Sequence, residues 1–203
     1  VRRATAALLG LVLAVLLAGC GGEDKTTTEL SGSRVDPPFE VAATPLTDTD
    51  GEQVSLAEDL DKRLTLVFFG YTQCPDVCPA TMATISSALT RLDDAEREQV
   101  GMVFVSTDPS RDTAPVLRRY LDRFDPTFTG LTGDLDPVVE LAKSMGVFVA
   151  GAEELASGGY DLGSHGSQVF AVQADGTAPI FWQDQDTSSA ELAADLETLL
   201  GDA

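Results

Sequence analysis

Apolar residues along this chain alternate between unbroken runs and helical stripes. Leu64 to Phe69 is a continuous apolar run closed by Gly70, the pattern of a strand covered on both faces. Val100 to Thr107 repeats it. Between them, Pro79 opens a helical stripe of Met82, Ile85, Leu89 and Leu92. Ala114 to Phe124 is a second amphipathic helix, with Val116, Leu117, Tyr120 and Leu121 inward and Pro126 beyond its end. Pro137 to Ser144 is a third, closed by Gly146, with a short strand from Val147 to Val149. Gln168 to Val172 and Ile180 to Trp182 flank Asp175-Gly176 as a C-terminal hairpin, and Ser189 to Leu200 is the last helix, its Leu192, Leu196, Leu199 and Leu200 facing the sheet. Near the start, Asp50-Gly51 within a polar stretch predicts an N-terminal β-hairpin. The order predicts an α/β fold, a central mixed sheet flanked by helices.

The first residues change the compartment. Arg2 and Arg3 precede an apolar run from Ala4 to Ala18, too short to span a bilayer comfortably at the roughly 20 residues needed. It ends in Leu17-Ala18-Gly19-Cys20, similar to the lipobox at which bacterial lipoproteins are cleaved and lipidated. Residues 1–19 are therefore expected to be a lipoprotein signal peptide, with Cys20 the lipidated first residue of the mature chain. Residues 20–37 open on small and polar side chains and are expected to be a flexible tether. Residues 38–203 are then one domain on the extracytoplasmic face of the cell membrane.

Charge excludes some partners. The 13 Lys+Arg stand against 33 Asp+Glu, a formal net charge of -20, which repels phosphate backbones and anionic headgroups. No nucleic acid and no small-molecule substrate is expected.

The candidate chemistry sits in the turn after the first buried strand. With Cys20 assigned to lipid, Cys74 and Cys78 are the only other thiols, and His165 is the only histidine. A strand that ends in a cysteine turn and runs into a helix is the order of a thioredoxin-like domain. Pro75 and Pro79 push the cysteines before them out of the α region, so both are expected in the loop, with Pro79 the first helical residue. Cys78 would then sit at the helix N-terminus, where unpaired N–H groups favour thiolate. Outside the cytoplasm such a pair is a disulfide, a redox couple or a metal site. Two sulfurs and one imidazole suit copper in either oxidation state, Cu(I) or Cu(II), at one ion per chain. Structural zinc wants four ligands, and Asp76 or Asp161 would have to complete it. His165 lies in the loop leading into the strand from Gln168, which in a thioredoxin-like sheet approaches the cysteine turn.

Phe68-Phe69-Gly70-Tyr71-Thr72-Gln73-Cys74-Pro75-Asp76-Val77-Cys78-Pro79, then Val105-Ser106-Thr107-Asp108-Pro109-Ser110-Arg111-Asp112-Thr113, Tyr120, Phe124, a Gly130-Leu131-Thr132-Gly133 turn and the His165 loop follow in order. Over about Thr47 to Gly176 this resembles the Sco (SenC) family. The resemblance implies a thioredoxin-like fold and copper bound by Cys74, Cys78 and His165. It also implies a role in maturing the CuA centre of cytochrome c oxidase, so the partner would be the oxidase subunit carrying CuA. Asp108 and Asp112 are expected to cap the following helix and shape the site. Ser164 stands where the family usually carries Asp, and Gly166 where it tends to have Ser or Thr.

The protein is thus expected to be a metallochaperone rather than an enzyme. The alternative is a thiol–disulfide oxidoreductase that reduces copper-site cysteines through a Cys74–Cys78 redox pair. Against it, thioredoxins usually separate their cysteines by two residues and place a proline where this chain has His165. A peroxiredoxin would want a lone activated cysteine. A structural disulfide here would close too short a loop to add much stability.

Overall fold

The computed structural model describes residues 29–147, 153–154, 160–161, 166–183 and 186–201. In chain order the strands are β1 (Ser33–Glu40), β2 (Leu46–Asp48), β3 (Gln53–Val54), β4 (Leu64–Gly70), β5 (Val100–Ser106), β6 (Thr129–Thr132), β7 (Glu153–Glu154), β8 (Tyr160–Asp161), β9 (Gln168–Gln173) and β10 (Thr177–Gln183). The helices are α1 (Val77–Leu89), α2 (Asp94–Arg97), α3 (Ala114–Leu121), α4 (Leu135–Ser144) and α5 (Ser189–Gly201). Eight strands form one sheet in the order β1-β10-β9-β4-β5-β6-β2-β3, and β7 pairs with β8 separately.

The unbroken apolar run of β4 is explained by its place in the middle. Every residue from Leu64 to Gly70 is buried. The strand runs parallel to β5, from Leu64 opposite Val100 to Gly70 opposite Ser106, and antiparallel to β9 on its other side. Leu64, Leu66 and Phe68 enter a core with Met82, Ile85 and Leu89 of α1, Leu117 and Leu121 of α3, and Leu192 and Leu196 of α5. Val67 and Phe69 enter the opposite core with Val138, Leu141 and Ala142 of α4. Burying a large apolar side chain stabilises by about 1.5–3 kcal/mol, so a strand feeding both layers is the natural spine of the fold. The sheet is mixed and flanked by helices, as expected.

The N-terminal hairpin forms at Asp50-Gly51. β2 pairs antiparallel with β3, Gly51 takes φ 94°, and Asp48 Oδ1 accepts from the N–H groups of Asp50 and Glu52 at 2.8 and 2.9 Å.

Several expectations need correction. The chain enters the sheet before residue 38: β1 starts at Ser33 inside the expected tether and pairs with β10. Pro37 and Pro38 disguised it, because proline cannot donate to a ladder and is tolerated only at a sheet edge or an irregularity. β1 is such an edge, and its register shifts between Arg34 and Phe39, across the prolines. Just before it, buried Asp195 of α5 accepts from Ser31 N, Ser31 Oγ, Gly32 N and the Trp182 indole at 3.2, 2.7, 3.0 and 2.7 Å. The Gly130-to-Gly133 segment is not a turn but largely β6, parallel to β5, with Gly130 and Leu131 buried. α3 closes at Leu121 rather than Phe124. Val147 is in no strand, and the rest of its expected strand lies outside the described residues. Among the described residues no helix is long and apolar enough to cross a membrane.

Candidate metal centre

Gly70 ends β4 where its backbone carbonyl accepts from Thr107 N at 2.8 Å and Thr107 Oγ1 at 3.1 Å, which ties off the ends of β4 and β5 together. The chain then turns through Tyr71 to Asp76, with Cys74 N donating to Tyr71 O at 3.2 Å. Asp112 holds this turn in place. Its carboxylate accepts from Thr72 N at 3.0 Å, Thr72 Oγ1 at 2.6 Å and Ser106 Oγ at 2.7 Å, and the residue is fully buried. Burial raises the Asp112 pKa above the ordinary carboxylate range, against the lowering effect of the Thr72 and Ser106 bonds. Neighbouring Asp108 is equally buried, accepts from Ser110 Oγ at 2.9 Å and pairs with Arg111.

The expectation that these aspartates cap the next helix is not met. The residue preceding α3 is Thr113, and no side chain caps it. Asp112 instead turns inward and braces the cysteine turn through Thr72, whereas Asp108 is taken up by Ser110 and Arg111. Thr72 and Ser106 were missed as supports. Their signal was a pair of hydroxyls, Ser106 at the end of one buried strand and Thr72 just beyond the end of the other, with an aspartate six residues after Ser106.

The helix after the turn begins earlier than Pro79. α1 starts at Val77 with Asp76 as its N-cap position, so Cys78 is already helical and buried while Cys74 is half-buried in the turn. The local restriction that Pro79 puts on Cys78 is overridden by packing: Cys78 lies in the core with Phe68, Met82 and Phe104. The helix N-terminus therefore serves Cys74. Cys78 N donates to Cys74 Sγ at 3.3 Å.

The two thiols differ sharply. Burial pushes Cys74 up, but bonds from the Cys78 and Asp76 backbone and from Cys78 and Tyr71 side chains outweigh it, and its pKa falls below the ordinary thiol value. Burial pushes the Cys78 thiol far up. The expected thiolate at Cys78 is thus corrected: the activated sulfur is Cys74. Both cysteines are free. A buried thiol beside a sulfur that is already inclined to ionise is a donor set that a soft cation would deprotonate and satisfy.

Gly70 makes room for this pair. A Cβ at Gly70 would lie 3.0 Å from Cys78 Sγ, 3.0 Å from Phe68 Cε1 and 3.1 Å from Phe104 Cε2. All three are held in the core, so Gly70→Ala is expected to cost about 1–3 kcal/mol of stability, read by urea unfolding. Wild-type stability in that variant would contradict the tight packing.

The third expected ligand, His165, lies outside the described residues, as does Cys20, the expected lipid site. The described strand that follows His165 is well placed: β9 pairs Val169 with Phe68, so its Gln168 end lies at the end of β4 that delivers the cysteines. A Cβ at Gly166 would come 1.7 Å from Gln168 Oε1, so any larger residue there would displace Gln168. Among the described residues no group of three or more His, Cys, Asp or Glu side chains could hold a metal, and Asp76 does not complete one. The Asp161 side chain is not described.

A buried strand, a turn carrying two free thiols, a helix that polarises one of them, and a β9–β10 hairpin covered by a final helix define a thioredoxin-like protein with a Cys-x-x-x-Cys centre. The SCO1/SenC family model matches residues 28–201, and the chain belongs to that family. Apo Sco1 of Thermus thermophilus is 31% identical and superposes with a TM-score of 0.74, covering 86% of this chain and 99% of that one. ScoI of Bradyrhizobium japonicum, solved with copper bound, is 30% identical with a TM-score of 0.65, covering 78% and 98%. BsSco, described as a member of the Sco family of cytochrome c oxidase assembly proteins with a disulfide switch, is 22% identical, with a TM-score of 0.65 and coverage of 84% and 98%; that likeness shows the fold alone. The chain spans less than two thirds of the length of the curated relatives it matches.

Proposed function

We propose that the protein is an extracytoplasmic, lipid-anchored copper carrier that binds one ion through Cys74, Cys78 and His165 and assists assembly of the CuA centre of cytochrome c oxidase. The observation that carries this reading is the unequal thiol pair at the end of β4: Cys74 activated by the start of α1, and Cys78 buried beside it. The ligand chemistry agrees with a relative that holds copper. A metal bound there keeps Cys78 deprotonated in the core, and a half-exposed Cys74 gives an acceptor site a sulfur at which ligand exchange can begin. Lipidation at Cys20 would hold the domain beside membrane-embedded oxidase subunits.

The same inequality favours a second reading, thiol–disulfide exchange. Cys74 thiolate would attack one sulfur of a partner disulfide and release the other as thiolate. Cys78, losing its proton to solvent, would then attack Cys74 Sγ, forming a Cys74–Cys78 disulfide and freeing the partner's two thiols. Mixing the copper-loaded chain with an oxidase fragment bearing the CuA site separates the two. Copper that leaves this chain and enters a reduced fragment supports the carrier. Reduction of an oxidised fragment without metal transfer favours exchange.

A further inference from the structure

Four of the 13 Lys and Arg residues of this acidic chain fall between Arg111 and Arg123. Two are neutralised, Arg111 by Asp108 and Arg118 by Asp122 at 2.8 Å. Arg119 and Arg123 are exposed and pair with no carboxylate among the described residues. Arg123 is held in place: its guanidinium lies 4.7 Å from the centre of the Tyr120 ring, and its Nε donates to Tyr120 O at 3.3 Å. Both arginines line a cleft of about 320 Å³ with Thr72, Gln73, Val116 and Tyr120. Tyr120 is 4% exposed, and its hydroxyl has no hydrogen-bond partner among the described residues. Thr72 and Gln73 immediately precede Cys74, so the cleft borders the cysteine turn.

Arginine in a last helical turn ordinarily complements the helix dipole. Arg118 and Arg119 stand in that turn, but Arg123 lies beyond it and is turned back over Tyr120, which dipole compensation does not require. We propose that this cleft docks an acidic segment of the protein that exchanges with the Cys74 site, seating its carboxylates between Arg119 and Arg123. The docking deepens the copper-carrier reading and rests on it for what the partner receives. A net charge of -20 repels acidic surfaces in general, so a small basic notch beside the reactive sulfur admits only a partner whose carboxylates reach it, in one orientation. A flat anionic bilayer would meet the surrounding negative surface as well as the notch, which disfavours it as the occupant.

The test uses the full chain in detergent, a fluorescent tetraglutamate peptide and low ionic strength. Binding is expected, weakening as salt is added. The double variant Arg119→Gln, Arg123→Gln should bind about tenfold more weakly, from two exposed pairs of ordinary strength. Arg91→Gln, at an exposed arginine outside the cleft, should bind as wild type. No peptide binding, equal binding by the double variant, or equal loss with Arg91→Gln would overturn the proposal. So would Arg119- and Arg123-dependent binding to phosphatidylglycerol vesicles in place of the peptide. Copper uptake is read separately by absorption. Peptide binding without copper uptake would sink only the carrier reading, and copper uptake without peptide binding only the docking.

Discussion

Asp112→Ala should lower the stability of the domain by about 3 kcal/mol, because it strips the acceptor from several donors in a site closed to water. Those donors are Thr72 N, Thr72 Oγ1 and Ser106 Oγ, and Asp112 itself is fully buried. For a domain of this size the loss corresponds to roughly 10 °C in melting temperature. The pH dependence follows from the direction of the shift. Burial raises the Asp112 pKa in the fold, so the folded chain holds that proton more tightly than the unfolded chain does. The stability linked to that proton is complete below the unfolded carboxylate pKa and is lost as pH rises through the folded value. The gap between wild type and Asp112→Ala should accordingly be widest at the acid end of that window. Thermal melts of both proteins across the acidic range check this. Coincident melts would mean that Asp112 does not hold the cysteine turn. Because Thr72 is two residues from Cys74, the variant should also bind copper more weakly than its loss of stability alone requires.

The two cysteines should alkylate at very different rates. Cys74 is half-buried with its pKa lowered, whereas Cys78 is buried with its pKa pushed far up. Near neutral pH, iodoacetamide is expected to modify Cys74 at least about a hundredfold faster, since only thiolate reacts and each unit of pKa difference is tenfold. The Cys74 rate should titrate below the ordinary thiol value, and denaturant should abolish the difference. Peptide mapping with fragmentation reads both sites. Cys78 reacting first would restore Cys78 as the activated sulfur, and equal rates would mean that neither is activated over the other.

That inversion shows where the sequence was legible. Leu64 to Phe69 announced a doubly covered strand, because apolar runs carry that information locally. Asp50-Gly51 announced its hairpin, because left-handed backbone at glycine is local chemistry too. The Cys-x-x-x-Cys segment fell where its order predicted, between the end of β4 and the start of a helix. The identity of the activated sulfur was not local: it depends on Cys78 being drawn into the core with Phe68 and Phe104, which brings its N–H onto Cys74. Pro79 argued the other way and lost to packing. β1 and β6 escaped for related reasons. The prolines of β1 mimic a linker, and β6 is a four-residue strand whose Gly130 allows Leu117 and Leu121 to close over it. The bracing by Asp112 needs partners 40 residues away at Thr72, a pairing no local pattern encodes.

The central claim is that Cys74 and Cys78, with His165, hold copper. The most direct test is the visible spectrum of the reduced full chain with Cu(II) added, recorded beside Cys74→Ser, Cys78→Ser and His165→Ala. Intense sulfur-to-copper charge-transfer bands at one copper per chain are expected, abolished in both serine variants and altered in His165→Ala. A wild-type chain that only oxidises to a Cys74–Cys78 disulfide and retains no copper would contradict the claim and leave thiol–disulfide exchange in its place.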